Sequence, residues 1–176
     1  EFIFKMIRKI SFEKLISSGR AENKLFEGVE IEKVYGLGAS ECKSSDTESD
    51  FVFSQTRQFD LIELEQLLQS VGWSRRPLRR VKKALDNSLL KVGLWRHDAK
   101  FPRLVGFARC TGDGVIDATV WDVAIHPVYQ GTGLGKELMN YILKSLKEIG
   151  ISRVTLFADP EVVAFYRNQG WLLEPK

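Results

Sequence analysis

A chain of 176 residues is long enough to bury one sizeable core, and an apolar content of 44% with eleven Phe and four Trp excludes a disordered polymer. A net charge of +3 is too small to imply nucleic acid, and the longest apolar run falls far short of a bilayer span, so neither nucleic acid nor membrane is an expected partner. Cys42 and Cys110 could form one bridge at most; with His97 and His126 they show no CxxC or HxxxH spacing, so no metal is expected.

Glu1 stands where an initiator methionine would be, which suggests a processed form or a piece of a longer chain. "FIFKMIRKISFEKLISSGR" mixes apolar and basic residues, with Glu13 its one acid, and reads as a short helix, a leader remnant or an arm packed on the domain. Residues 36–50, small, polar and acidic, read as a flexible linker. The expected division is therefore an arm and linker over residues 1–50 and one domain over 51–176.

Within the domain, "FVFSQTRQF" reads as the first strand. "DLIELEQLLQSVG" is a helix: Asp60 and Glu63 are spaced as a capping box, and Leu61, Leu64 and Leu68 share a face. "RPLRRVKKALDNS" predicts a second, basic helix. "LLKVGLWRH" and "RLVGFARCTGDG" are strands two and three, the latter closing in a "TGDGV" turn before strand four, "IDATVWDVAIHP". Apolar residues at 134, 138, 142, 146 and 149 form one face of a long helix. "SRVTLFA" is strand five, "PEVVAFYRNQG" a short helix and "WLLEP" the start of strand six. A helix between strands four and five makes that pair parallel and leaves the others antiparallel, in a mixed α/β sheet.

"QGTGLGK", residues 130–136, joins strand four to the long helix. A Walker A loop would need Gly where Gln130 stands and Ser or Thr where Glu137 stands. A dinucleotide fingerprint would need Gly in place of Lys136. Both nucleotide readings fail. What remains is either a set of turn glycines or a loop whose inward N–H groups, beside a positive helix end, cradle a pyrophosphate.

The pattern Q-x-x-G-x-G over Gln130–Gly135, after a strand ending "VAIHP", resembles the acetyl-CoA loop of the GNAT acyltransferase superfamily. "VVAFYRNQGW" is similar to that superfamily's C-terminal A-x-x-F-Y-x-x-x-G-F signature. Within it, residues 51–176 look most like plastid enzymes of plants and their cyanobacterial relatives, described as serotonin N-acetyltransferases and as protein lysine or N-terminal acetyltransferases.

The resemblance implies the GNAT fold: a mostly antiparallel mixed sheet whose parallel strands four and five splay apart, with helices on both faces. It implies acetyl-CoA as co-substrate, with a small-molecule amine, a protein amine or both as acceptor, a monomer or homodimer, and residence in a chloroplast. The pantetheine arm is expected along the backbone of Val123, Ala124 and Ile125. The pyrophosphate is expected on Gln130, Gly131, Thr132, Gly133, Leu134, Gly135 and Lys136, and Val162 and Tyr166 are expected on the coenzyme side of the gap. The fold also has a seventh strand beside the fifth, whereas this chain stops at Lys176, so that place is expected to be filled by a partner, by the N-terminal segment or by residues beyond the chain.

An alkyl amine is mostly protonated at neutral pH, so acyl transfer requires a base for the amine, a donor for the carbonyl oxygen and an acid for the leaving thiolate. The donor is expected to be the Val123 N–H. Tyr166, at the family tyrosine, is the expected acid. Asp159, where much of the superfamily has Asn, is the expected base, although Asp159-Pro160 also suits the start of a helix. Asp122 is the alternative base and otherwise orients the acceptor; Trp121 is an aromatic wall for a ring-bearing amine or a core residue. Strict alternation would put Trp121 with Val123 and Ile125, and Asp122 on the opposite face. His126, before Pro127, reads as a turn residue. "RRPLRRVKK" holds six cations and no acid, either a solvated helix face or an attraction for acidic substrates. A catalytically idle acetyl-CoA sensor is the rival; Tyr166 with an Asp at 159 favours an enzyme.

Overall fold

A computed structural model describes residues 8–12, 34–35, 50–97 and 101–173. The strands are β1 (Arg8–Phe12), β2 (Val34–Tyr35), β3 (Asp50–Ser54), β4 (Leu90–His97), β5 (Pro102–Gly112), β6 (Asp117–Ile125), β7 (Arg153–Ala158) and β8 (Leu172–Leu173). The helices are α1 (Leu61–Ser70), α2 (Leu78–Asp86), α3 (Leu134–Glu148) and α4 (Val163–Arg167). All eight strands form one sheet, ordered β2-β3-β4-β5-β6-β7-β1-β8. Among the described strands only β6 and β7, the expected fourth and fifth, run parallel; the other neighbouring pairs are antiparallel.

The helices cover both faces. On one, α3 buries Leu134, Leu138, Met139, Ile142 and Leu146 against Val92, Leu94, Ala108 and Val120 of the sheet. Each such side chain stabilises by about 1.5–3 kcal/mol relative to exposure. On the other face, Leu64, Leu67 and Leu68 of α1 and Leu85 of α2 pack on Trp95, Leu104 and Phe107. The two cores are separated only by the sheet.

Three details differ from the sequence expectation. The first strand stops at Ser54, because the Ser54 hydroxyl accepts the N–H groups of Thr56 and Arg57 and bends the chain out of the ladder. Ile149, counted on the buried stripe of α3, is the helix C-cap and half exposed. The capping box is only half closed. Asp60 accepts the N–H groups of Ile62 and Glu63, but the Glu63 carboxylate reaches the Leu104 N–H at 2.7 Å instead of returning to Asp60. That N–H lies where the β4–β5 register slips at Leu94/Trp95, so Glu63 satisfies a donor beside the bulge.

The described stretches of residues 1–50 join the sheet. β1 lies between β7 and β8, pairing Arg8 with Ala158 and Ile10 with Leu173. An N-terminal strand thus occupies the place that the resemblance gives to a seventh strand, and 34–35 extend the other edge on β3. The expected linker, apart from Asp50, lies outside the described residues.

Candidate active site between the splayed strands

The parallel ladder between β6 and β7 is short. It runs from Asp117↔Arg153 to Val120↔Leu156 and stops, although β6 continues to Ile125 and β7 to Ala158. Beyond Val120 the β7-facing edge of β6 has no strand partner among the described residues. The β5 ladder slips in the same place: Arg109 pairs with Trp121 and Phe107 with Ala124, which leaves Asp122 and Val123 outside the register. Asp122 adopts φ +54°, a left-handed conformation that Asp and Asn tolerate better than most residues. This β-bulge turns the end of β6 away from β7 and opens the gap.

A cavity of about 650 Å³ fills it. Val123, Ala124 and Ile125 form one wall. Asp159, Val162 and Tyr166, after β7 and on α4, also line it, as do Gln130, Gly131, Gly133, Gly135 and Lys136 of the loop into α3. Two residues expected at the pyrophosphate have side chains elsewhere. Thr132 donates its hydroxyl to the Tyr129 carbonyl, and the Leu134 side chain is core, so each can contribute only backbone.

The loop has the conformation its glycines allow. Gly131 and Gly133 have φ +77° and +92°, where a side chain would be strained. Gly133 is the N-cap of α3 and offers no side-chain acceptor. The helix ladder begins with Lys136 and Glu137 donating to the Gly133 carbonyl, so the N–H groups of Leu134 and Gly135 precede it and remain for a ligand. The Gln130 side-chain amide donates to the Ile125 carbonyl at 2.9 Å and ties the loop to the end of β6. This orphaned N-terminus with flanking left-handed glycines fits an anion such as a pyrophosphate. His126 accepts the Val128 N–H and caps the intervening turn over 127–129.

Tyr166 lies on α4, wedged edge-on between Phe165 and Trp171. Burial pushes its hydroxyl pKa up to about 12, so it stays protonated at neutral pH and can only give a proton. Asp159 precedes Pro160 in the N-cap position of the next turn, yet its side chain makes no capping bond. Its carboxylate is exposed at the cavity mouth.

Asp122 is engaged differently. Its Oδ2 accepts a bond from Arg109 Nε at 2.6 Å and its Oδ1 one from Arg76 Nη1 at 3.0 Å. Trp121 does not share the face of Val123 and Ile125, as strict alternation had it. The bulge places it with Asp122 on the α1–α2 side, where its indole N–H donates to the Thr111 hydroxyl and its ring stacks on Phe157 at 5.4 Å. Arg76 belongs to the basic stretch read from the sequence, whereas Phe157, Trp73 and Arg109 carry no expectation there. Phe157 alternates with the core residues Leu156 and Ala158 and could have been found. Arg109 could not, because its pairing depends on the β5–β6 register.

Among the described residues no group of three His, Cys, Asp or Glu side chains could hold a metal, and no helix is long and apolar enough to cross a membrane.

The acetyltransferase (GNAT) family model matches residues 59–171. An uncharacterized ycf52-like N-acetyltransferase of Prochlorococcus marinus is 67% identical over 97% of this chain and 94% of its own. Histone acetyltransferase TAP1 of Glycine max is 36% identical over 96% of this chain and 80% of its own. The chloroplastic serotonin N-acetyltransferase 2 of Oryza sativa subsp. japonica is 39% identical over 66% of this chain and 58% of its own. Among solved structures, a GNAT-family acetyltransferase of Streptococcus pneumoniae aligns with a TM-score of 0.56 and 30% identity over 68% of this chain and 86% of its own. The splayed strands, the glycine loop and these likenesses agree: the chain belongs to the GNAT acetyltransferase family.

Proposed function

We propose that this acetyltransferase moves an acetyl group from acetyl-CoA to the primary amine of an arylalkylamine of the serotonin class, both substrates being bound together. The observation that carries the reading is the gap itself: one cavity joins the glycine loop, Tyr166 and Asp159 to the stacked Trp121–Phe157 pair. The name of the rice relative supports the acceptor class. The cyanobacterial and chloroplastic relatives support a plastid or cyanobacterial setting.

Acetyl-CoA, when bound, supplies an activated acyl thioester. The loop N–H groups and the end of α3 hold its pyrophosphate, and the unpaired edge of β6 from Val123 to Ile125 aligns its arm. Trp121 and Phe157 present a flat surface to the acceptor ring. Asp159 takes the proton of the incoming ammonium, releasing the lone pair that forms the C–N bond. The Val123 N–H donates to the carbonyl oxygen as negative charge builds there. The Tyr166 hydroxyl gives its proton to the sulfur as the C–S bond breaks, and the second proton, shed by the nitrogen as it becomes the amide, restores the phenol.

Purified protein mixed with acetyl-CoA and either tyramine or serotonin should release CoA thiol and N-acetylated amine in equal amounts. Coenzyme binding without transfer to any amine would leave only the idle sensor.

A further inference from the structure

A second cavity, of about 890 Å³, lies beneath α1 and α2 and meets the acyl gap at Trp73 and Asp122, which line both. Its floor is apolar, formed by Leu64, Leu68, Leu85 and Phe107, whereas Arg75, Arg76, Arg80 and Arg109 supply four guanidiniums. Two carboxylates answer them. Glu65 takes Arg75 in a two-pronged pair at 3.1 and 2.9 Å, and Asp122 takes Arg76 and Arg109. Arg80 has no ion pair among the described residues. Four cations against two anions leave an excess of two positive charges beside the acyl gap. Arg80 lies in the first turn of α2 and Arg76 just before its N-cap Pro77, and both line this cleft, so it holds an unpaired cation as well as the one that reaches Asp122.

A bare ammonium gains nothing from such a cleft, while an acceptor carrying its own carboxylate offsets the charge. A cavity of this size, continuous with the gap, also exceeds what a small amine fills. We propose that the cleft is a carboxylate-recognising subsite for acidic peptide acceptors. Arg80 grips an Asp or Glu side chain, the apolar floor takes neighbouring side chains, and the peptide's free amine enters the gap past Asp122. This inference rests on the acetyltransferase reading of the gap and adds a second acceptor class to it.

The test compares two short peptides with the same free N-terminal alanine, one followed by Asp-Glu and the other by Lys-Lys, with tyramine as a third acceptor. The acidic peptide should be preferred in kcat/KM by about tenfold, the scale of one charge-assisted hydrogen bond at a partly exposed site. The preference should shrink as salt is raised. Arg80→Gln should bring it close to unity and Arg80→Glu should invert it. Arg80 is exposed, so both variants should melt as the parent does. Equal use of the two peptides by an enzyme that turns over tyramine overturns the subsite and leaves the acetyltransferase reading intact. No transfer to any of the three acceptors overturns both.

Discussion

Arg109 Nε donates to Asp122 Oδ2 at 2.6 Å, with the two side chains only 17% and 11% exposed. The pair fixes the bulged residue of β6 at the point where the two cavities meet. Asp122→Asn keeps a side chain suited to positive φ and an acceptor for one guanidinium, but removes the charge. It should raise the acceptor KM while leaving kcat within a few-fold. Asp122→Ala would strand Arg109 and should cost about 2–4 kcal/mol of stability. Steady-state kinetics on the first variant and denaturant unfolding of the second check the two statements.

Tyr166→Phe keeps the ring between Phe165 and Trp171 and removes only the hydroxyl. Loss of the acid should lower kcat by roughly 10²–10⁴-fold with little change in coenzyme affinity. There is also a signature in stability. The hydroxyl pKa is raised by burial from 10.0 to about 12, so the unfolded chain ionises first. The stability tied to the neutral hydroxyl is intact below pH 10 and is lost as pH climbs towards 12, by an amount on the order of 3 kcal/mol. The Phe variant lacks this component. Unfolding at pH 8 and pH 11 should therefore show the parent falling further than the variant.

The part of the site that follows from local chain chemistry was legible in the sequence. Three glycines before an amphipathic helix fix left-handed turns and an uncapped N-terminus whatever surrounds them. The helix that carries Tyr166 was legible too, because "VVAFYRNQGW" combines a short apolar face with a terminating glycine. What stayed hidden depends on register. A bulge at Asp122 has no signature in "TVWDVAI"; it breaks the alternation along the end of β6, and so puts Asp122 on the same side of the sheet as Trp121. The pairing of Asp122 with Arg76 and Arg109 joins residues 46 and 13 positions apart, which no periodicity encodes. β1 filling the slot between β7 and β8 is likewise a long-range event: the N-terminal segment is one of the candidates the resemblance leaves for that place, and nothing in "RKISF" chooses among them.

The glycine loop predicts a thermal shift. Acetyl-CoA at about a hundred times its Kd should stabilise the folded protein by about 2.7 kcal/mol, visible as a rise in Tm. Gly133→Asp and Gly135→Asp should abolish the shift. The first forces a side chain into φ +92°, and the second puts a carboxylate beside the phosphates, with its Cβ 3.4 Å from the Phe165 ring. ATP and NAD should give no shift with the parent. Stabilisation by ATP but not by CoA would reverse the ligand assignment.

Glu63 predicts a purely structural effect. Its carboxylate holds the Leu104 N–H at 2.7 Å beside the β5 bulge, linking α1 to the sheet. Glu63→Ala leaves that donor without its partner and should cost about 1–3 kcal/mol. Glu63→Gln retains a carbonyl acceptor and should lose less. Denaturant midpoints with unchanged m-values would check the order of the three proteins.

Asp159→Asn tests the base. The Asp159 side chain caps no N–H, so replacing its carboxylate by an amide removes no bond that holds the turn after β7, and Tm should hardly move. Coenzyme binding should persist as well, because the turns of the glycine loop and its free N–H groups make no bond to Asp159. What disappears is the carboxylate proposed to take the proton from the ammonium. Near neutral pH kcat/KM should then fall by about 10²-fold or more. The deficit should narrow as pH approaches the amine's own pKa near 10, where the neutral amine is supplied by solvent. Asp122, with one oxygen on Arg76 and the other on Arg109, should not show that pattern when changed to Asn. A pH–rate profile of both variants against the parent, with tyramine as acceptor, decides between them. A pH-dependent loss in Asp122→Asn together with an active Asp159→Asn would exchange the roles of the two carboxylates.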